Sequence, residues 1–137
     1  MVQKACLFRI GIIALALTTH CARAEVVVVA GSKSTASPLS KEQVSDAFMG
    51  KTPAFSPLDL AESSPLRDEF YSKVLGKSAS QMKSYWSKMA FTGKGTPPRE
   101  GASSTEVKKM LAADNTLLGY IDKSAVDASV KVLFSAQ

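Results

Sequence analysis

Three features of this 137-residue sequence predict an α/β three-layer sandwich with a mainly parallel sheet. The first is "EVVVVA" (25–30), a continuous β-branched run of the kind expected for a strand buried on both faces of a parallel sheet. The second is a set of helix-opening boxes in which Ser is followed three residues later by Gln or Glu, each leading into an apolar stripe. The third is a pair of later strand-like runs, "LLGYI" (117–121) and "VKVLF" (130–134), set apart from the first by those helices.

A leader precedes the fold. Lys4 and Arg9 give a basic start, "IGIIALALTT" (10–19) is an apolar run too short to span a bilayer, and "ARA" (22–24) is an A-x-A cleavage site. Residues 1–24 are therefore predicted to be a cleaved signal peptide, and residues 25–137 a single α/β domain in the periplasm with no membrane span. Removing 24 residues from 137 leaves 113, and takes away Cys6, Cys21 and the sole histidine, His20. The mature chain then has no disulfide, no thiol nucleophile, no imidazole base and no ordinary zinc or copper ligand set. With Lys4, Arg9 and Arg23 gone, 17 basic residues fall to 14 against 12 acids, so the net charge is +2 rather than +5. That balance argues against nucleic acid as a partner.

Along the mature chain, "GSKSTASP" (31–38) reads as a loop. Ser40 and Gln43 form the first box, opening a helix with Val44, Ala47 and Phe48 on one side and ending at Gly50. "FSPLDL" (55–60) is a short extended segment. The next helix begins at Pro65, carries Leu66, Phe70 and Val74, and stops at Gly76. Ser78 and Gln81 open a third helix, on which Met82, Tyr85, Trp86 and Met89 read as core. "FTGKGTPPRE" (91–100) reads as a loop, with Lys94 and Arg99 solvated. Ser103 and Glu106 open a helix carrying Val107, Met110 and Leu111, and a helical turn is expected at 124–126.

One helix start breaks the pattern. Where three helices carry Gln43, Gln81 or Glu106 at the third position, the helix capped by Ser64 carries Arg67. A cation in the first turn opposes the helix dipole by about 0.3–1 kcal/mol. Ser63, Ser64, the first-turn amides and a guanidinium fork together suit a tetrahedral oxyanion. The plainer alternative is that Arg67 pairs with Asp59, Glu62 or Asp68. "GSKST" lacks the first glycine of a nucleotide P-loop, but its position after a strand makes Ser34 and Thr35 secondary candidate donors. No paired carboxylates or activated nucleophile are visible, so the chain is read as non-enzymatic, without cofactor or metal.

The runs "SKEQVSDAFMGKTPAF" (40–55), "DLAESSPLRDEFYSKVLG" (59–76) and "NTLLGYIDKSAV" (115–126) resemble the phosphate-type periplasmic solute-binding proteins. That family carries an L-x-x-x-x-L-x-x-I-F-x-G segment, then a ligand loop of the form D-G-S-G-T-R-x-x-F, then a G-Y-I/V motif. Ser63, Ser64, Arg67 and Phe70 fall on the ligand loop, and Gly119 and Tyr120 on the last motif. Pro65 and Leu66 replace the loop's glycine and threonine. The resemblance implies one lobe of a two-lobed type II periplasmic binding protein. It also implies phosphate or a similar oxyanion as ligand, and an ABC permease as transport partner. A single lobe leaves half the ligand solvated, so weak binding is expected unless a partner or a second copy closes over it. The competing expectation is an envelope protein-interaction or sensor module that kept the scaffold without the solute.

Overall fold

The computed structural model describes residues 25–136; the predicted leader lies outside the described residues. Five strands and four α-helices build one sheet with helices on both faces: β1 (Val26–Gly31), α1 (Lys41–Phe48), β2 (Ser56–Leu60), α2 (Pro65–Phe70), α3 (Ala79–Phe91), β3 (Arg99–Gly101), α4 (Ser104–Ala113), β4 (Leu117–Asp122) and β5 (Val130–Ser135). A π-helical segment, Tyr71–Leu75, continues α2, and a 3-10 turn, Lys123–Ala125, links β4 to β5. Among the described residues no helix is long and apolar enough to cross a membrane.

The strand order is β3-β2-β4-β1-β5. β2 runs parallel to both β3 and β4. β1 corrects the sequence reading of its direction: it pairs antiparallel with β4 and with β5. Its unbroken apolar run reflects a strand with a neighbour on each side and a helical layer on each face, and all six of its residues are buried. Such a run reports coverage, not direction. The loop 91–100 is also shorter than expected, because Arg99 and Glu100 already pair with Leu58 and Asp59 in β3.

The caps follow the sequence closely. Ser40 accepts from the Gln43 amide while Gln43 reaches back to the Ser40 amide, and Ser78 and Gln81 do the same. Ser103 accepts from the Glu106 amide, but the Glu106 carboxylate turns to the amide of Ala102 instead. Gly76, at φ +63°, closes the π segment in the left-handed conformation.

The G-Y pair of β4 joins the two layers. Tyr120 stacks on Phe70 at 3.9 Å and lies 5.8 Å from Phe48, so one face packs on α1 and α2. Gly119 points the other way, where a Cβ would lie 2.9 Å from Val107 Cγ1 on α4. Only glycine lets that helix approach so closely. Gly119→Ala is expected to cost about 1–3 kcal/mol by overpacking, read as a lowered urea midpoint; an unchanged midpoint would refute the close packing of α4 on β4.

Candidate functional site

The carboxyl end of β2 sets the site. Asp59 lies on the second-last residue of that strand and is only 4% exposed. Water is thus replaced around its carboxylate, and the fold must supply other donors. It supplies several. Tyr71 donates to Oδ2 and Tyr120 donates to Oδ1. The amide of Leu60 donates to Oδ1 at 2.9 Å. The Arg67 guanidinium adds opposite charge, with Nε 3.6 Å from Oδ2.

Arg67 sits at the third position of α2, as the cap pattern predicts, with Pro65 first. Its Nε donates to the Tyr71 hydroxyl at 2.9 Å, and Nη1 donates to the Leu60 carbonyl and to Glu100 Oε1, each at 3.1 Å. Nη2 has no partner among the described residues. The plainer sequence alternative is therefore realised in part: Arg67 pairs with Asp59, although in a half-buried network rather than on the surface. Glu100, on β3, is a second ion partner that the sequence does not suggest.

Electrostatics follow from this packing. Burial works against the Arg67 charge, but Asp59, the Tyr71 hydroxyl and Glu100 outweigh it and raise its pKa. Burial, together with the Asp59 charge and the bond to it, pushes the Tyr71 and Tyr120 hydroxyls well above the usual phenol range. Both tyrosines therefore remain donors to Asp59 at neutral pH.

The remaining candidates separate. Ser64 caps α2 by position but makes no side-chain cap bond, and its amide donates to the Ala61 carbonyl at 2.9 Å. Ser63 is exposed beside it. Ser34 is buried, its hydroxyl accepting from the Ala36 amide at 3.2 Å, while Thr35 is exposed. Those two follow β1, which runs opposite to β4 and hence to β2. They therefore lie at the other end of the sheet from Arg67. The expectation that they share an anion site with Ser63, Ser64 and Arg67 fails on topology, because it assumed a parallel β1.

Two cavities border Arg67. One, about 280 Å³, is lined on its polar side by Asp59, Glu62, Arg67, Lys83 and Glu100. The other, about 230 Å³, shares Glu62, Arg67 and Lys83 and adds Asp68, Ala79 and Ser80. Neither is lined by Ser63 or Ser64. Glu62, Arg67 and Asp68 follow the carboxyl end of β2, where Asp59 lies and at which open α/β sheets hold ligands, while the rest of the lining comes from α3, the chain leading into β3 and β3 itself. Asp59, Tyr71 and Tyr120 act as positioning residues for Arg67. Asp59 and Tyr120 were visible in sequence as a possible ion partner and a family motif, whereas Tyr71, outside the Leu66, Phe70 and Val74 stripe, carried no signal.

Two outcomes test this network. Asp59→Asn removes the charge facing Arg67 and is expected to lower stability by about 2–4 kcal/mol, against about 1–2 kcal/mol for Tyr120→Phe. Both are read by denaturant unfolding; equal, negligible losses would sink the network. The raised tyrosine pKa values also give a pH dependence. Above pH about 10 the unfolded tyrosines release protons that the folded ones keep, so the unfolded state binds fewer protons and stability falls as pH rises. That alkaline loss is expected to shrink in Tyr120→Phe.

No protein-family model matches the chain, and no curated protein matches it. Solved structures do. A protein assigned as a phosphate ABC transporter substrate-binding protein, with phosphate bound, from Clostridium perfringens superposes with a TM-score of 0.65 at 18% identity, over 80% of this chain and 44% of that one. An ABC-type phosphate transport receptor from Vibrio cholerae gives 0.63 at 17% identity, over 80% and 45%. PstS from Borrelia burgdorferi gives 0.58 at 11% identity, over 80% and 46%. The chain spans less than half the length of these proteins, and it carries the fold of one lobe of a type II, PstS-like periplasmic binding protein.

Proposed function

We propose that the chain is an exported, periplasmic, non-catalytic domain that binds phosphate or a similar oxyanion at Arg67, and that it serves as a substrate-binding component beside an ABC permease. The observation that carries this reading is the state of the guanidinium. Asp59, Tyr71 and the Leu60 carbonyl fix its orientation, while Nη2 has no partner among the described residues and the group borders two cavities. A pre-oriented donor loses little freedom on binding. Ser63 and the Ser64 hydroxyl, which precede α2, are the further donors this reading includes, although neither lines the two cavities. The structural likeness to phosphate-binding proteins supports the ligand class.

The same geometry limits the affinity. Two carboxylates already share the Arg67 charge, and Glu62 adds a third nearby. Binding on one open lobe is then expected near the millimolar range, about 4 kcal/mol.

A second reading has its own observation. An Arg67 fully compensated by Asp59 and Glu100 needs no solute, and Phe91, 93% exposed at the end of α3, offers an apolar contact. This favours an envelope interaction or sensor module. Calorimetry separates the two: phosphate and sulfate are expected to release heat that disappears in Lys83→Glu, an exposed change that sets a negative charge on the lining of both cavities. No heat at millimolar anion, or heat untouched by that change, overturns the solute reading and leaves the interaction module.

A further inference from the structure

The larger cavity beside Arg67 is not shaped for a bare tetrahedral ion. Opposite its charged rim stand Met82, Trp86, Ala90, Pro97 and Pro98, which come from α3 and from the chain leading into β3. At about 280 Å³ it lies just below the range of about 300–1,000 Å³ for drug-sized ligands, a size for a small organic molecule. Trp86 lines it as well; its Nε1 is a buried donor with no hydrogen-bond partner among the described residues.

The charged rim has one movable member. Asp59 is buried and bound by two hydroxyls and an amide, so it cannot leave Arg67 cheaply. Glu100 has a half-exposed side chain and a single ion contact at 3.1 Å, which is a weak surface pair. If Glu100 turns to solvent, Nη1 and Nη2 together present a two-pronged edge toward the cavity, flanked by Lys83. Glu62 faces the same space, but it is exposed and its charge is screened by water.

We propose that this cavity takes an organic phosphate monoester: the phosphate replaces Glu100 on Arg67, and an apolar body lies along Trp86, Pro97 and Pro98. The proposal rests on the oxyanion reading of Arg67 and names its ligand class. Glu100 is thus a built-in competitor, occupying Arg67 until an anion displaces it.

Trp86 is the chain's one tryptophan, so its emission reports the cavity directly. The full mature chain is titrated with phenyl phosphate, inorganic phosphate and phenylalanine, by fluorescence and by calorimetry. Phenyl phosphate is expected to bind about tenfold or more tighter than inorganic phosphate, from burial of its ring, and to change Trp86 emission. Ala90→Phe, at an exposed helix position, fills the cavity and is expected to abolish that preference while leaving the thermal midpoint unchanged. Glu100→Gln is expected to tighten phenyl phosphate about two- to fivefold. Equal binding of the two phosphates, or a preference that survives Ala90→Phe, overturns the organic-ester inference and leaves the oxyanion reading standing. Tighter binding of phenylalanine overturns it too, by showing that Glu62 and Glu100 receive a ligand's cation. Silence with every probe overturns both.

Discussion

The buried carboxylate of Asp59 constrains everything around it. A charge held away from water is tolerable only where each oxygen finds donors. Here those donors come from different parts of the chain: the Leu60 amide from β2, Tyr120 from β4, and Tyr71 and Arg67 from the helix that follows. The network therefore fixes where that helix lies across the β2–β4 pair. Stacking of Phe70 on Tyr120 adds an apolar contact directly beside it. The π segment starts at Tyr71, the residue that must reach Asp59 while its neighbour Phe70 stays in the core. Polar and apolar demands on two adjacent positions meet at the point where the helix changes its winding.

This arrangement ties the chemistry of Arg67 to stability. Deleting the guanidinium removes a candidate ligand donor and also strands Asp59, so lost binding and lost folding would arrive together. Residues at the rim separate the two effects. Lys83, Ala90 and Glu100 are all exposed, and none of them supports the buried carboxylate directly. The contrast between the two acidic partners follows from burial alone. At a half-exposed site an ion pair is worth about 0–1 kcal/mol, whereas stranding a buried charge costs about 3–5 kcal/mol. An anion competing for Arg67 therefore meets little resistance from Glu100 and much from Asp59.

Local signals in the sequence were reliable where local physics decides the outcome. The Ser40–Gln43 and Ser78–Gln81 boxes form as read, because a cap involves only residues within one turn. Arg67 lands at the third position of its helix for the same reason. Legibility ends where two distant segments must meet. The run of four valines at the start of β1 says that both faces are covered, which is true, but it carries no information on direction; that depends on which strands flank it. β3 is three residues long, and Arg99 and Glu100 have polar side chains, so its pairing with β2 leaves no periodic trace. Glu100 is 33 residues from Arg67 and becomes its partner only through that pairing. Tyr71 falls outside the Leu66, Phe70 and Val74 stripe, and its hydroxyl gains meaning only once Asp59 is placed beside it.

Strand direction also decides what can belong to one site. Because β3 lies parallel beside β2, Glu100 stands next to Asp59, and the helix that follows β2 brings Arg67 to face it. Because β1 is antiparallel to β4, the loop with Ser34 and Thr35 leaves from the opposite end of the sheet, beside Leu111, Asn115 and Ser129. The candidate site is consequently made from residues 59–71 and 79–100, with Tyr120 of β4 beneath Asp59 and no residue of the first strand among those lining its two cavities. Such a site is open on the side away from the sheet. The phosphate-binding structures that share this fold are more than twice as long as the part matched here. An oxyanion held by one lobe alone stays in contact with water, where each charge-assisted bond is screened. Trp86, Pro97 and Pro98 add an apolar wall beside Arg67, and burial against such a wall is not weakened by ionic screening. On the organic-ester proposal the body of the ligand therefore contributes more to discrimination than its phosphate.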